Sequence, residues 1–258
     1  MVDTSVIGCG NMGSAFIKGL AASGDHRITA IDLDPDARAA VAEFVAETSE
    51  DLAAAADSDV VIVAVEPDTV GVVLDDLDLS ADQTLVTLAA GVTTDYVAAR
   101  TDARVVRVMP NLAAEFGDAA VAVAWADEPD EDVRALLDEI GTFVEVEESL
   151  MNLATAVNGS GPAFVFYLLQ AMKQAGVEGG FEPDQAEALA AQTFKGAAET
   201  VLRSDRPVGD LIDAVATAGG TTIEGMELLW DSDVQAQVAG AIEAADERAE
   251  ELSSEFHE

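Results

Sequence analysis

Short apolar runs alternate with amphipathic stretches through the first half of the chain. Five runs are apolar enough to be strands, at residues 5–7, 27–31, 59–65, 85–88 and 104–109. The later ones are apolar almost throughout, as strands covered on both faces require. Strands that alternate with helices are typical of an open, mostly parallel α/β sheet. We therefore predict a doubly wound domain over residues 1–148, with two edge strands at 119–126 and 142–146 around a helix at 129–140.

After Glu148 the strand pattern ends, and the pattern of apolar residues becomes that of helices. We predict helices at roughly 150–157, 162–177, 183–203, 208–217, 221–230 and 233–252. Residues 164–169 are apolar on nearly every side, so this helix must be buried on most of its surface. Residues 149–258 alone are too few to cover such helices. We therefore predict an all-helical domain whose cover comes partly from a second copy of the chain, in a homodimer.

A glycine turn follows the first strand at once and opens the first helix. It has the pattern G-x-G-x-x-G, with Gly8, Gly10 and Gly13 at the glycine positions. Each glycine has a use: Gly8 for the tight turn, Gly10 for the approach of a pyrophosphate, and Gly13 for close packing of helix on sheet. Asn11 and Met12 stand between them at the helix start. The motif predicts a dinucleotide site; a turn that only packs the helix is the alternative.

Asp32 ends the second strand, 24 residues after Gly8. An acid at this place can accept hydrogen bonds from the adenosine ribose. It would repel the 2′-phosphate of NADPH, and Arg38 is the nearby cation. Asp32 therefore favours NADH, unless its side chain points into water as one more surface acid.

Three further strand ends are expected at the same edge of the sheet. Ligands of open α/β sheets bind beyond the carboxyl ends of the strands. We therefore expect cofactor contacts from Ala64, Val65 and Pro67, from Ala89 and Ala90, and from Asn111.

The chain of 258 residues carries a net charge of −38, from 50 acidic and 12 basic residues. Such a surface repels nucleic acid and anionic membranes. The acids are spread along the chain, which predicts a salt-tolerant, halophile-type surface. No apolar run is long enough to cross a membrane, and no signal peptide is visible. The single cysteine, Cys9, allows no internal disulfide and fits a cytoplasmic protein.

Two adjacent glycines, Gly219 and Gly220, precede Thr221 and Thr222 at the start of an apolar helical run. A helix start leaves backbone N–H groups free and carries partial positive charge. Together these features predict a small anion cradle, suited to a carboxylate, with hydroxyls beside it. A glycine turn with a threonine helix cap is the alternative.

Few side chains offer acid–base chemistry. The histidines are His26, in a loop, and His257, near the end, and no metal-ligand cluster is visible. Tyr167 lies in the apolar helix and is expected to belong to the core. Reduction of a carbonyl needs a general acid, whereas a protonated imine is already electrophilic. A cofactor clamp, a carboxylate cradle and one hydroxyl would suffice for an imine, mainly by positioning.

The chain resembles the pyrroline-5-carboxylate reductase family over nearly its whole length. The resemblance is carried by the motifs at residues 8–13, 64–67, 89–93, 107–111, 158–163 and 219–224. It implies reduction of 1-pyrroline-5-carboxylate to L-proline by NADPH or NADH, the last step of proline biosynthesis. It also implies a helical dimerisation domain, with each active site shared between two subunits, and leaves room for a larger oligomer of dimers.

The resemblance also implies the substrate site. Backbone amides around Gly220 would hold the substrate carboxylate, and the Thr222 hydroxyl would bond the ring nitrogen as the catalytic group. The substrate-binding residues would be Ser160, Thr217, Gly219, Gly220, Thr221 and Thr222.

The chain departs from the family pattern at three places. Glu66 replaces the usual lysine, Leu112-Ala113 replaces Thr-Pro, and Thr217-Ala218 replaces Ser-Pro. Two other functions remain open on the residues alone. One is a β-hydroxyacid dehydrogenase with Lys173 as its catalytic lysine; the other is a dinucleotide sensor without catalysis.

Overall fold

The computed structural model describes residues 2–24 and 26–256, so His257 lies outside the described residues. The chain forms two compact units. The sheet unit comprises residues 1–160 together with 243–258, and the helical unit comprises residues 161–242.

The sheet unit is built on one eight-stranded sheet. Its strands are β1 Asp3–Ile7, β2 Arg27–Ile31, β3 Glu47–Ser49, β4 Val60–Val63, β5 Thr84–Thr87, β6 Arg104–Met109, β7 Ala119–Trp125 and β8 Gly141–Glu145. Their order is β3-β2-β1-β4-β5-β6-β7-β8. All neighbours are parallel except β6 and β7, which pair antiparallel with Met109 opposite Ala122. The first six strands have the order of a dinucleotide-binding sheet, which confirms the predicted fold class.

One prediction about the sheet edges is wrong, and one edge strand was missed. Of the two strands predicted as edges, β7 is an inner strand between β6 and β8, whereas β8 is an edge. The other edge is β3, which was not predicted at all. Its three residues, Glu47–Ser49, are polar and carry no apolar signal, so only their parallel pairing with β2 makes them a strand.

Helices cover both faces of the sheet. Those of the sheet unit are α1 Asn11–Ser23, α2 Pro35–Val41, α3 Pro67–Asp76, α4 Thr94–Ala98, α5 Glu131–Ile140 and α6 Met151–Ala154. On one face, α1 and α5 bury Phe16, Leu20 and Leu137 in a single core cluster. On the other face, α3 and α4 contribute Leu74 and Val97 to a second cluster. Burial on both faces explains why the central strands are apolar throughout.

The helical unit contains α7 Gly161–Glu178, α8 Pro183–Leu202, α9 Val208–Val215 and α10 Thr221–Trp230; the last helix, α11 Val234–Ser254, begins here and ends in the sheet unit. In α7 no residue is buried, although its sequence is apolar. Tyr167 is 78% exposed and Phe166 is 66% exposed. The expectation that Tyr167 is a core residue of its own chain is therefore wrong, because this chain leaves that face of the helix uncovered.

The sheet unit extends past residue 148 and includes the end of the last helix. Met151 is completely buried against Met109 and Ala122 of the sheet unit. At the far end of α11, Ser253 hydrogen-bonds the side chain of Asn152 at 3.0 Å. The stretch after residue 148 and the end of the chain thus pack with the sheet. Among the described residues, no helix is long and apolar enough to cross a membrane.

Candidate active site

The glycine turn between β1 and α1 has the geometry of a phosphate-binding loop. Gly8 has φ +97°, and a Cβ there would lie 2.8 Å from the carbonyl oxygen of Ala64. A Cβ on Gly13 would lie 1.9 Å from the Gly8 oxygen, whereas one on Gly10 would meet nothing within 4 Å. Gly10 caps α1 without any side-chain hydrogen bond. The first N–H groups of α1, at Asn11 and Met12, are therefore open toward the space beside Gly10.

Asp32 is oriented toward this turn. Its Oδ2 accepts a hydrogen bond from Cys9 N at 2.6 Å, and its Oδ1 accepts one from Asp34 N at 2.9 Å. A carboxylate oxygen can accept more than one hydrogen bond, so both oxygens retain capacity for ribose hydroxyls. The alternative in which Asp32 simply points into water does not fit these contacts.

Cys9 itself is a packing residue. It is buried in the first core cluster. Burial, and then the negative charge of Asp32, raise the pKa of the Cys9 thiol to about 11. The thiol is therefore neutral at ordinary pH and unsuited to act as a nucleophile.

A groove of about 950 Å³ opens beside Asp32, between the ends of β1, β2 and β4. Gly8, Asp32 and Val65 line it, together with the apolar side chains of Leu33 and Val72. Leu33 and Val72 are both exposed. A groove with a polar end at the glycine turn and apolar walls suits the adenosine half of a dinucleotide.

The other predicted cofactor residues lie at strand ends. Ala64 follows β4, and Pro67 is the first residue of α3. Ala89 and Ala90 follow β5, and Ala90 packs against the cluster around Met109. Gly91 then turns the chain with φ +79°; a Cβ on it would lie 3.0 Å from Ser253 N.

Asn111 caps the short helix Leu112–Phe116 by accepting from Ala113 N at 3.1 Å. Its Nδ2 donates to the carbonyl oxygen of Asn158 at 3.2 Å. Asn158 lies in a single π-helical turn, Thr155–Gly159, which leads to Ser160 and α7. Such turns are frequent at functional sites. Asn158 belongs to a motif singled out in the sequence, yet its side chain was missed as a site residue.

A buried arginine on β6, Arg107, is paired with side chains of the segment that follows β8. The Arg107 side chain is only 2% exposed; its Nη1 lies 2.9 Å from Glu148 Oε1, and its Nη2 donates to Asn152 Oδ1 at 3.3 Å. Glu148 Oε1 also accepts from Thr94 N at 3.3 Å. These contacts link β6 to the start of α4 and to the segment that follows β8. Spacing alone could not have revealed them, because the two partners of Arg107 lie 41 and 45 residues from it along the chain.

The double glycine of the helical unit forms an uncapped helix start. Gly219 has φ +73°, and Gly220 is the cap of α10 but offers no side-chain hydrogen bond. Gly220 N donates to Thr217 O at 3.0 Å, which closes the turn. Thr221 and Thr222 are the first helical residues, so neither is the helix cap that the alternative interpretation required. Among the described residues, no side-chain hydrogen bond engages either hydroxyl, and the first N–H groups of α10 remain free.

The structure thus brings Gly8, Gly13, Ala64 and Asp32 together in the sheet unit, and Thr217 with Gly220 in the helical unit. Ser160 lies in the sheet unit, directly before α7. The Lys173 amine pairs with Glu187 on the neighbouring α8, which disfavours the catalytic lysine of a β-hydroxyacid dehydrogenase. In the described part of the chain, no group of histidine, cysteine or acidic side chains is arranged for a metal ion.

Comparison with family models covers both units. The model described as pyrroline-5-carboxylate reductase dimerisation matches residues 148–252. The model described as NADP oxidoreductase, coenzyme F420-dependent, matches residues 4–91.

Relatives and solved structures match this chain over nearly its whole length. A pyrroline-5-carboxylate reductase of Methanosarcina acetivorans is 38% identical, over 95% of this chain and 96% of that protein. The Escherichia coli enzyme is 36% identical, over 96% and 97%. The structure of a pyrroline-5-carboxylate reductase from Coxiella burnetii superposes with a TM-score of 0.87 at 29% identity, with 98% of each chain covered. The Plasmodium falciparum pyrroline carboxylate reductase, a structure with NADP bound, gives 0.86 at 25% identity and the same coverage. The chain therefore belongs to the pyrroline-5-carboxylate reductase family.

Proposed function

We propose that this protein reduces 1-pyrroline-5-carboxylate to L-proline with NAD(P)H, in the last step of proline biosynthesis. The proposal rests on two features of a chain that is related to these reductases over nearly its full length. They are an open glycine turn and an uncapped double-glycine helix start. One holds phosphates and the other holds a carboxylate, as a dinucleotide and an amino-acid-like substrate require.

The residues present fit a nicotinamide dinucleotide. The space beside Gly10 and the free N–H groups of Asn11 and Met12 suit the pyrophosphate, and Asp32 suits the adenosine ribose. The ends of β4, β5 and β6, at Ala64, Ala89 and Asn111, would face the nicotinamide half. When bound in reduced form, the cofactor supplies the hydride.

We assign the substrate to the start of α10. The free amides of Thr221 and Thr222 and the positive end of the helix would hold the carboxylate. The Thr222 hydroxyl would bond the ring nitrogen and is the proposed catalytic group, with Thr217 and Ser160 as further contacts. Hydride adds to the carbon of the protonated C=N bond and leaves a neutral secondary amine, so no strong acid is required of the protein.

We also propose that the protein works as a homodimer joined through the helical unit. Several large apolar side chains of this unit are exposed in the single chain, among them Phe166, Leu202, Leu228 and Trp230. The concentration of large exposed apolar side chains in one unit is typical of an interaction surface. The proposal includes a larger oligomer of dimers, in which this interface is unchanged. The neutral, buried Cys9 is compatible with the reducing cytoplasm, where we place the reaction.

An assay of NADH and NADPH oxidation that depends on 1-pyrroline-5-carboxylate, in molar potassium chloride, tests the function. We expect proline to form in a one-to-one ratio with oxidised cofactor. A protein that binds the cofactor but shows no oxidation with this imine would be the non-catalytic sensor instead.

A further inference from the structure

We propose that Asp32 and Glu50 together make this site selective for NADH over NADPH. The inference deepens the proposed function. It rests on one part of that function, namely that a nicotinamide dinucleotide binds at the glycine turn. It assigns a role to Glu50, which lies just beyond β3, the edge strand that carries no apolar signal.

The groove beside the glycine turn is lined by carboxylates. Five acidic residues line it, and they are Asp32, Glu50, Asp51, Asp76 and Asp78. None of its lining residues is a lysine, arginine or histidine. A phosphate monoester carries about −1.5 to −2 charges near neutral pH. The 2′-phosphate of NADPH would therefore enter a field of its own sign, whereas the 2′-hydroxyl of NADH would not.

Arg38 is the cation that could have offset this field. Its Nη1 donates to the backbone oxygen of Asp32, and its Nη2 lies 3.6 Å from Glu50 Oε2. An arginine near the end of β2 is what accommodates the 2′-phosphate in NADP-binding sheets. Here Glu50 holds that arginine, and Glu50 is itself 75% exposed, so its charge faces the groove and the solvent.

The Asp32 carboxylate discriminates in a second way. It is held by Cys9 N and Asp34 N and retains acceptor capacity for a hydroxyl hydrogen. A ribose hydroxyl can satisfy that capacity as a donor. A phosphate group in its place brings only acceptors near neutral pH, so attraction is replaced by repulsion between like charges.

Dissociation constants of NADH and NADPH test the inference without any substrate. The fluorescence of the reduced nicotinamide reports binding, at one fixed concentration of potassium chloride. We expect the native protein to bind NADH at least about tenfold more tightly than NADPH, since like charges a few ångströms apart repel even at a high effective dielectric constant. Glu50→Gln should tighten NADPH several-fold and leave NADH nearly unchanged. In combination with Asp32→Ser it should remove or invert the preference.

Asp127→Asn is the matched control. It removes the same charge from an exposed residue of the sheet unit that does not line the groove. Circular dichroism would show that each variant is folded. Equal binding of both cofactors by the native protein, or a Glu50→Gln effect no larger than that of the control, would overturn the inference. Preference for NADH without imine reduction would contradict the proposed reaction alone, and imine reduction with equal use of both cofactors would contradict the selectivity alone.

Discussion

Asn111 and Asn158 tie the end of one strand to a π-helical turn that lies 47 residues further along the chain. Asn111 donates to the backbone oxygen of Asn158, while Asn158 Nδ2 donates to Met109 O at 2.6 Å and to Ala120 O at 2.9 Å. One amide side chain thus fastens the turn to both antiparallel strands, β6 and β7. The Asn111 and Asn158 side chains therefore both hold the turn against the loop that would lie under the nicotinamide.

Replacing Asn158 with alanine should lower both stability and turnover. Loss of the two donated hydrogen bonds leaves the carbonyls of Met109 and Ala120 without this partner, which costs roughly 1–3 kcal/mol. We expect a lower melting temperature and a lower kcat, with the dissociation constant of NADH little changed. Gln174→Ala, at an exposed amide of α7, is the control. If both variants behave alike, Asn158 does not position the loop.

Replacing Thr222 with valine should slow the reaction about 100-fold or more, which is the lower end of the effect of a group that assists proton transfer. Valine keeps the shape of the side chain and removes the hydroxyl. Steady-state kinetics and cofactor fluorescence would separate turnover from cofactor binding, which should not change. Thr222→Ser retains a hydroxyl and should retain most of the activity. Full activity of the valine variant would remove Thr222 from its proposed role.

Asp130 should stabilise the folded protein while its carboxyl is ionised, and this contribution should be lost at acidic pH. Its side chain caps α5 through Asp132 N and Val133 N and accepts from Thr84 Oγ1 at 2.7 Å. Burial alone would raise the pKa of this carboxyl, but the hydrogen bonds from Thr84 and Val133 and the charge of Arg104 outweigh burial and lower it. Because the folded-state pKa is below the unfolded value of about 3.9, the contribution is complete above that value. It is lost as the pH falls through the folded-state pKa.

Asp130→Asn should therefore destabilise the protein by roughly 1–2 kcal/mol at pH 7. The free energies of unfolding of the two proteins should begin to converge as the pH falls below about 4, the unfolded pKa, and should meet below the lower pKa of the folded state. Asp127→Asn serves as the control at an exposed position. A difference that does not depend on pH would contradict the assignment.

Replacing Phe166 with aspartate should weaken the homodimer. The side chain lies on the uncovered face of α7, and a charge cannot be buried there without a partner. We expect sedimentation in molar potassium chloride to show dimers for the native chain and a larger monomer fraction for the variant. Phe116→Asp changes a phenylalanine of the sheet unit that is 75% exposed, against 66% for Phe166, and should leave the dimer intact. A native protein that sediments as a monomer would refute the interface.

Salt should stabilise this protein strongly, because its 50 acidic residues face only 12 basic ones. The screening length falls from about 10 Å at 0.1 M salt to about 3 Å at 1 M. We expect the melting temperature to rise by roughly 10 °C over that range, which is about 3 kcal/mol for a protein of this size. Sucrose, which adds no ions, should stabilise it less. A melting temperature indifferent to salt would contradict the prediction.

The sheet and its glycine turn could be predicted because their signals are local. Gly8, Gly10 and Gly13 follow an apolar strand directly, and Asp32 ends the next strand. The start of α10 was also predictable, since two glycines precede two threonines. In each case neighbouring residues carry the whole pattern.

The remaining features depend on pairings between distant segments. β3 becomes a strand only beside β2, and Glu50 acquires a role only where it meets Arg38. Asn158 and Ser253 act on residues about 50 and 100 positions away. Tyr167 was placed in the core for a related reason, since an apolar pattern shows that a surface is buried but not which chain buries it.

The close approach of Gly91 to Ser253 has a mechanical consequence. With only 3.0 Å between the backbone nitrogen of Ser253 and a Cβ at position 91, the turn after β5 and the last turn of α11 cannot shift independently. An alanine at position 91 would wedge them apart, and cutting the chain before Ser253 would leave the turn without its lateral brace. The C-terminal end of α11 thus supports the turn after β5, beside which hydride transfer would take place.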